Sequence, residues 1–164
     1  CSAFLGGKID SIICELQHLS FLNLTYNELE GEIPKCIGSV GQLIDLKLGL
    51  SELVGSVPHM LANLSNLQNL DLRFNNLVAN DLEWLSHLSN LRYLALSYVN
   101  PSRVVDLPSS ISKLPSLLEL YLDDCSLTQV NPKSISYLNS SSSLQILSLQ
   151  ENELNSSILS WVLN

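Results

Sequence analysis

Six segments of the chain repeat one spacing of leucines, and no other feature restricts its possible folds as tightly. On the pattern LxxLxxLxLxxNxL, the first segment supplies Leu16, Leu19, Leu22, Leu24, Asn27 and Leu29. The second reads Val40, Leu43, Leu46, Leu48, Ser51 and Leu53, and the third Leu64, Leu67, Leu70, Leu72, Asn75 and Leu77. The fourth runs Leu88, Leu91, Leu94 and Leu96, with Val99 at the Asn site, and the fifth Leu114, Leu117, Leu120, Leu122, Cys125 and Leu127. The sixth starts imperfectly at Ser141 and continues Leu144, Leu147, Leu149, Asn152 and Leu154. The last leucine of the LxL core falls at 24, 48, 72, 96, 122 and 149, in steps of 24, 24, 24, 26 and 27 residues. The two leucines of LxL project to one side of an extended backbone. A unit of about 24 residues cannot bury that side alone, whereas stacked copies bury it against each other.

The spacing therefore predicts one α/β solenoid over residues 1–164, with six turns of 24–27 residues behind a truncated leading turn. A parallel β-sheet should line the concave face, with short 3-10 or helical segments and loops on the convex face. The Asn at 27, 75 and 152 stands where the strand turns away, and its amide can serve backbone groups of its own and the neighbouring turn. Ser51, Val99 and Cys125 interrupt that ladder, so the middle of the array is expected to be less regular. Both ends offer apolar residues to absent neighbours (Ile12, Ile13 and Leu16 at one, Ile158, Leu159, Trp161, Val162 and Leu163 at the other). The array is expected to lack caps and to be a piece of a longer one.

Composition narrows the functional classes. Leucine occurs 37 times, in keeping with one side chain reused at equivalent sites, and hydrophobic residues make up 46% against 15% charged, which excludes intrinsic disorder. The net charge of −8 and the absence of a basic stripe exclude nucleic acid as a partner. No apolar run approaches ~18 residues, so no membrane contact is expected from this segment itself.

The tails of the turns carry a second motif. Turn one continues Gly31-Glu32-Ile33-Pro34-Lys35-Cys36-Ile37-Gly38 and turn two Gly55-Ser56-Val57-Pro58-His59-Met60-Leu61, while Gly6-Gly7-Lys8-Ile9 and Ser156-Ser157-Ile158 are weaker echoes. In turn three, Asn80 or Asp81 can cap a short helix bearing Leu82, Leu85 and Leu88 on one side. Turns four and five loop through Asn100-Pro101-Ser102-Arg103 and Asn131-Pro132-Lys133. The LxGxIP tail resembles that of plant extracellular leucine-rich-repeat proteins. Four stretches (33–39, 81–85, 113–120 and 155–159) resemble the receptor-like proteins of plant immunity, the group that includes fungal-xylanase receptors. The resemblance covers essentially the whole chain. It implies part of an ectodomain on the extracellular face of the plasma membrane, a protein or peptide ligand, a co-receptor kinase as further partner, and a role in defence signalling. A secreted, apoplastic inhibitor of a pathogen's cell-wall-degrading enzyme is the alternative, and an intracellular scaffold is disfavoured by the LxGxIP tails.

Catalytic chemistry finds no footing. His18, His59 and His87 stand in different turns without Cys or acidic partners at metal spacing, and they read as surface residues. No serine sits in a nucleophile elbow and no glycine loop could cradle phosphate. No enzyme activity, cofactor or metal is expected. Glu28, Glu30 and Glu32 alternate with Leu29 and Ile33 and read as an outward strand face. The cysteines Cys1, Cys14, Cys36 and Cys125 are spaced by 13, 22 and 89 residues, which matches neither a metal pair nor a compact disulfide framework. Free thiols are the expectation, and Cys14 with Cys36 is the best-placed pair for a bridge.

Recognition should reside in the strand residues between the leucines, which are forced onto the opposite, concave face. One column of that face runs Tyr26, Leu50, Phe74, Tyr98, Asp124 and Glu151. Aromatic residues and Arg dominate protein interfaces, so the candidate ligand-binding patch is Asp71, Arg73, Phe74, Tyr93, Tyr98, Tyr121 and Asp123, centred on turns three to five. N-x-S/T triplets make Asn23, Asn63, Asn139 and Asn155 glycosylation candidates. Asn63, in a loop, suits a glycan best. Asn23 suits it least, because it points into the concave face.

Overall fold

The leucines of the repeat form a continuous core. In the computed structural model, which describes residues 5–101, 107–127, 143–154 and 156, Leu46, Leu70, Leu94 and Leu120 have no exposed surface, and Leu48, Leu72, Leu96 and Leu122 are buried beside them. Val40, Leu43, Leu64, Leu67, Leu88 and Leu91 close the same core from the approach to each strand. The predicted register is the observed one.

The strands alternate along the chain between two parallel sheets. Their order is β1 (Gly6–Lys8), β2 (Phe21–Asn23), β3 (Glu28–Gly31), β4 (Asp45–Lys47), β5 (Glu52–Ser56) and β6 (Asn69–Asp71). Then come β7 (Asn76–Ala79), β8 (Tyr93–Ala95), β9 (Asn100–Pro101), β10 (Glu119–Tyr121) and β11 (Ile146–Ser148). The concave sheet runs β2-β4-β6-β8-β10-β11 and the second sheet β1-β3-β5-β7-β9. In the concave sheet the middle leucines of the strands stand side by side, Leu22 with Leu46, Leu46 with Leu70, Leu70 with Leu94, Leu94 with Leu120 and Leu120 with Leu147. Neither sheet closes. The second sheet was not foreseen. The alternation at Glu28–Glu32 is indeed one of its strands, with the three glutamates exposed, but the loop expected at Asn100-Pro101 is another, paired with β7.

Among the described residues, five turns cross the convex side through a short helical segment. These are the 3-10 turns Ser11–Glu15, Lys35–Ser39, His59–Asn63 and Glu83–His87, followed by the α-helix α1 (Leu107–Ile111). Pro34 and Pro58 stand immediately before two of them, where a ring-fixed φ is already set for the turn. The glycines of the LxGxIP tails have a separate reason to be glycine. Gly31 and Gly55 have φ of 78° and 86°, a left-handed conformation that costs a glycine little. The helix expected after Asn80 forms as the 3-10 turn Glu83–His87, where Asp81 Oδ1 accepts a hydrogen bond from Glu83 N–H at 3.1 Å and Leu82, Leu85 and Leu88 are buried.

Asparagine ties one turn to the next. Asn75 Nδ2 donates to Leu72 O in its own turn and to Leu48 O in the preceding one, both at 3.0 Å, while its Oδ1 accepts from Leu53 N–H at 3.1 Å. Asn152 repeats the arrangement with Leu149 O, Leu122 O and Leu127 N–H, and Asn27 repeats the bonds to its own Leu24 O and from Leu5 N–H. The irregularity expected around the missing asparagines does not appear in the concave sheet, whose pairing is unbroken from turn two to turn five. At the fifth turn Cys125 substitutes in part: its Sγ donates to Leu96 O at 3.2 Å, the preceding-turn partner that an asparagine would reach.

The cysteine expectation is corrected. Cys14 and Cys36 form a disulfide with a Cα–Cα distance of 5.8 Å. They lie in the stacked 3-10 turns Ser11–Glu15 and Lys35–Ser39. A separation of 22 residues, unhelpful along the chain, is close to one step of the solenoid. Cys125 is free and buried.

Leu72 has no exposed surface, so Leu72→Asp would bury a carboxylate with no partner among the leucines. Thermal melting followed by circular dichroism should lose its cooperative transition. A variant that melts like the parent would contradict this packing.

Candidate functional site

The concave sheet presents four residues per turn, and their backbone is shaped by the ladder between turns. After each short strand the inter-turn bonds continue: Leu48 N–H donates to Asp71 O and Leu50 N–H to Arg73 O, and the equivalents recur one turn later at Leu72 and Phe74. The second residue of each such pair has positive φ. Tyr26, Leu50, Phe74, Tyr98, Asp124 and Glu151 lie between 46° and 66°, so the column read from the sequence is a row of left-handed residues. For side chains of this size that conformation costs on the order of 1 kcal/mol each and is retained because the surroundings impose it. The result is a projecting ridge in which Tyr26 is 68% exposed and Phe74 and Tyr98 are each 40% exposed. The rings of Phe74 and Tyr98 stack at 4.5 Å between centroids, and Tyr93 and Tyr121 lie 5.4 Å apart.

Beside the ridge lies an open recess of about 470 Å³, lined by Tyr26, Lys47, Asn69, Asp71, Arg73 and Tyr93 together with Asn23 and Thr25. Its charged centre is arranged by local geometry. Asp71 Oδ1 accepts from Arg73 N–H at 3.1 Å, the same bond that Asn23 Oδ1 makes with Thr25 N–H two turns earlier. Asp71 Oδ2 lies 3.2 Å from Arg73 Nε, an ion-pair approach without hydrogen-bond angles. Gly49 leaves the space for this pair, since a Cβ there would come within 2.8 Å of Asp71 Oδ1. Burial raises the Asp71 pKa above its ordinary value, against the lowering effect of Arg73 and Lys47. Burial, with the charge of Asp71 adding, pushes the Tyr93 phenol up to about 12.

The candidate residues separate into three groups. Asp71, Arg73 and Tyr93 line the recess, but Asp71 is only 3% exposed. It orients Arg73 and offers a ligand little surface. Phe74 and Tyr98 stand on the ridge. Tyr121 donates to Glu119 Oε2 at 3.1 Å, and Asp123 is engaged internally, accepting from Ser97 Oγ, Ser148 Oγ and Gln150 N–H across three turns. The recess extends over turns one to four, towards the N-terminal side of the patch read from the sequence. It includes Lys47, Asn69 and Thr25, which the focus on aromatic residues passed over although each stands in the same alternating columns.

Of the glycosylation candidates, Asn63 is exposed at the end of a convex 3-10 turn. Asn23 is exposed on the concave sheet and lines the recess. Asn139 and Asn155 lie outside the described residues. His18, His59 and His87 are exposed, and among the described residues no group of His, Cys, Asp and Glu is placed to hold a metal ion. No helix among the described residues is long and apolar enough to cross a membrane.

Comparison with known proteins agrees with this architecture. Two models of the leucine-rich-repeat family match, one over residues 65–127 and one over residues 18–40. No match is found among curated proteins. Among solved structures, the chain is similar to the ectodomain of the plant membrane receptor kinase GASSHO1/SCHENGEN3 from Arabidopsis thaliana, in complex with CASPARIAN STRIP INTEGRITY FACTOR 2. The TM-score is 0.80 and the identity 29%, over 94% of this chain and 19% of that one. It is similar to PEPR1 in the PEPR1–AtPEP1 structure, with a TM-score of 0.78 and 25% identity over 93% of this chain and 24% of that one. It is also similar to the Arabidopsis receptor kinase HAESA, in complex with the peptide hormone IDA and the co-receptor SERK1. There the TM-score is 0.71 and the identity 27%, over 92% of this chain and 28% of that one. The chain thus spans between 19% and 28% of these ectodomains.

A buried thiol and a half-buried phenol make the frame sensitive to alkali. Burial pushes the Cys125 thiol from its ordinary 9.0 up to about 12, as it does the Tyr93 phenol from 10.0. Between these values the folded chain keeps protons that the unfolded chain has lost, so stability is full below about pH 9 and falls as pH rises towards 12. The melting temperature should decline steadily across that interval. In Cys125→Ala the decline should be shallower and begin nearer pH 10, and an identical profile would contradict the burial of the thiol.

Proposed function

Because the chain is a leucine-rich-repeat solenoid, we propose that it recognises a peptide or protein ligand on its concave face without catalysing a reaction. On this reading it forms part of the ectodomain of a plant cell-surface receptor-like protein, on the extracellular side of the plasma membrane. The observation that carries the reading is the exposed concave sheet itself. Its frame is uniform from turn to turn, its surface residues change at every turn, and it holds both a recess and a raised aromatic ridge. Chemistry in such folds resides in the side chains grafted onto the frame, and stacked Tyr and Phe beside Arg is the composition of an interface centre. The ectodomain structures reported above hold ligands that include a peptide hormone, and one of them holds a co-receptor. A peptide ligand with a co-receptor kinase as second partner is accordingly the proposed pairing.

Two further observations support the compartment. The Cys14–Cys36 disulfide is stable where the surroundings are oxidising, as outside the cell. Asn63 offers a glycan acceptor on a face distant from the recess, and a glycan there would leave the concave sheet open. Defence signalling and membership of the fungal-xylanase-receptor-like group rest on the four motif stretches alone.

The test begins with a random decapeptide library displayed against the full chain. Peptides recovered from it should lose about 1–2 kcal/mol of affinity on Arg73→Ala and a similar amount on Tyr98→Ala, with melting unchanged. They should be indifferent to Ser89→Ala, which alters an exposed residue away from the concave strands. Equal losses at all three positions would refute recognition by the concave face.

A further inference from the structure

The concave face is electrically asymmetric along the array. Its cations, Lys47 and Arg73, lie in turns two and three, and each faces an acid of its own turn, Asp45 at 3.8 Å and Asp71 at 3.2 Å. Turn four contributes Tyr93, Ala95, Ser97 and Tyr98, none of which is charged at neutral pH. Turns five and six contribute Glu119, Asp123, Asp124 and Glu151. Among the described residues the ion pairs are Lys47–Asp45, His59–Asp81, Arg73–Asp71 and Lys113–Glu83, so none of these four carboxylates has a cationic partner there. Their field reaches the neighbouring turn: the Tyr98 phenol is pushed up, first by the Glu151 carboxylate, with Asp124 and Asp123 adding.

We propose that the occupant of this face is an extended peptide of ordered charge, with an acidic side chain or free carboxylate over Lys47 and Arg73 and a Lys or Arg side chain over Asp124 and Glu151. The inference rests on the recognition reading above and gives its ligand a chemistry. Lys47 is 40% exposed and Arg73 33% exposed, and at 3.8 Å from Asp45 the Lys47 ammonium is held loosely enough to change partner. Arg73 turns its Nε to Asp71 and has further guanidinium donors for a carboxylate. At the other end Asp124 and Glu151 are exposed, and a cationic side chain reaching them passes the ring of Tyr98, whose face also attracts it. An anionic ligand would be repelled by turns five and six, and a wholly basic one would meet Lys47 and Arg73. The two ends are three strand steps apart, roughly 14 Å, or about four residues of extended chain.

The experiment reads charge order in the peptides selected on the full chain from the decapeptide library. Enriched sequences should carry an acidic and a basic residue about four positions apart. By fluorescence anisotropy, a selected peptide should bind at least tenfold more weakly to the Asp124→Asn, Glu151→Gln double variant and to the Lys47→Gln, Arg73→Gln double variant. Exchanging its acidic and basic residues should cost as much on the parent chain. Melting curves confirm that both double variants are folded. Enriched peptides that are wholly apolar, carry one sign of charge, or bind both double variants undiminished overturn the charge-order inference and leave recognition standing. Enrichment of no sequence at all overturns both readings.

Discussion

A three-residue strand has too few hydrogen bonds and too little buried surface to persist alone, so every turn of this protein depends on the turn that follows. Leu48 donates its N–H to Asp71 O, Leu72 to Ala95 O, Leu96 to Tyr121 O and Leu122 to Ser148 O, and the side chains of the same residues fill the core. One residue type at one spacing thus supplies both the apolar contact and the backbone register. The asparagines reinforce this coupling without creating it, which is why the sheet passes through Ser51, Val99 and Cys125 without a slip in pairing.

Function on such a frame follows from what the coupling forces outward. From turn one to turn five the ladder of N–H donors extends one step past each concave strand, onto a residue in left-handed geometry. Aromatic side chains at that step become a ridge. Small side chains at 95 and 97 in turn four, beside Lys47, Asn69 and Arg73 in the earlier turns, give the face its relief and its uneven charge. The strain carried by Phe74 and Tyr98 is local, and the inter-turn bonds that impose it are those that hold the solenoid together.

How much was legible in the sequence follows from the same physics. The leucine period determined which residues are buried, and alternation determined which face the concave side, because both depend only on counting. The second sheet was hidden because Gly6–Lys8 and Asn100–Pro101 have little strand character of their own and pair only because the neighbouring turn offers an edge. The Cys14–Cys36 pair was visible as the best-placed one, but its formation was not expected, because a spacing of 22 residues matches no compact disulfide framework. The burial of Asp71 depends on the bond to Arg73 N–H and on the missing side chain of Gly49, and neither can be read from Asp71 itself. The left-handed column was visible as a column, but Tyr, Leu and Phe give no sign of positive φ. Alternation placed Arg73 and Tyr93 on the concave face, whereas the position of the recess came from the sizes of neighbouring side chains, which no periodicity records.

Amide hydrogen exchange on the native chain tests the coupling between turns most directly. The account predicts that the N–H groups of Leu48, Leu72, Leu96 and Leu122 are the most protected in the molecule and open with a common free energy, since none can be released without separating two turns. Fast exchange at these positions, or protection that differs from turn to turn as though each opened independently, would contradict it.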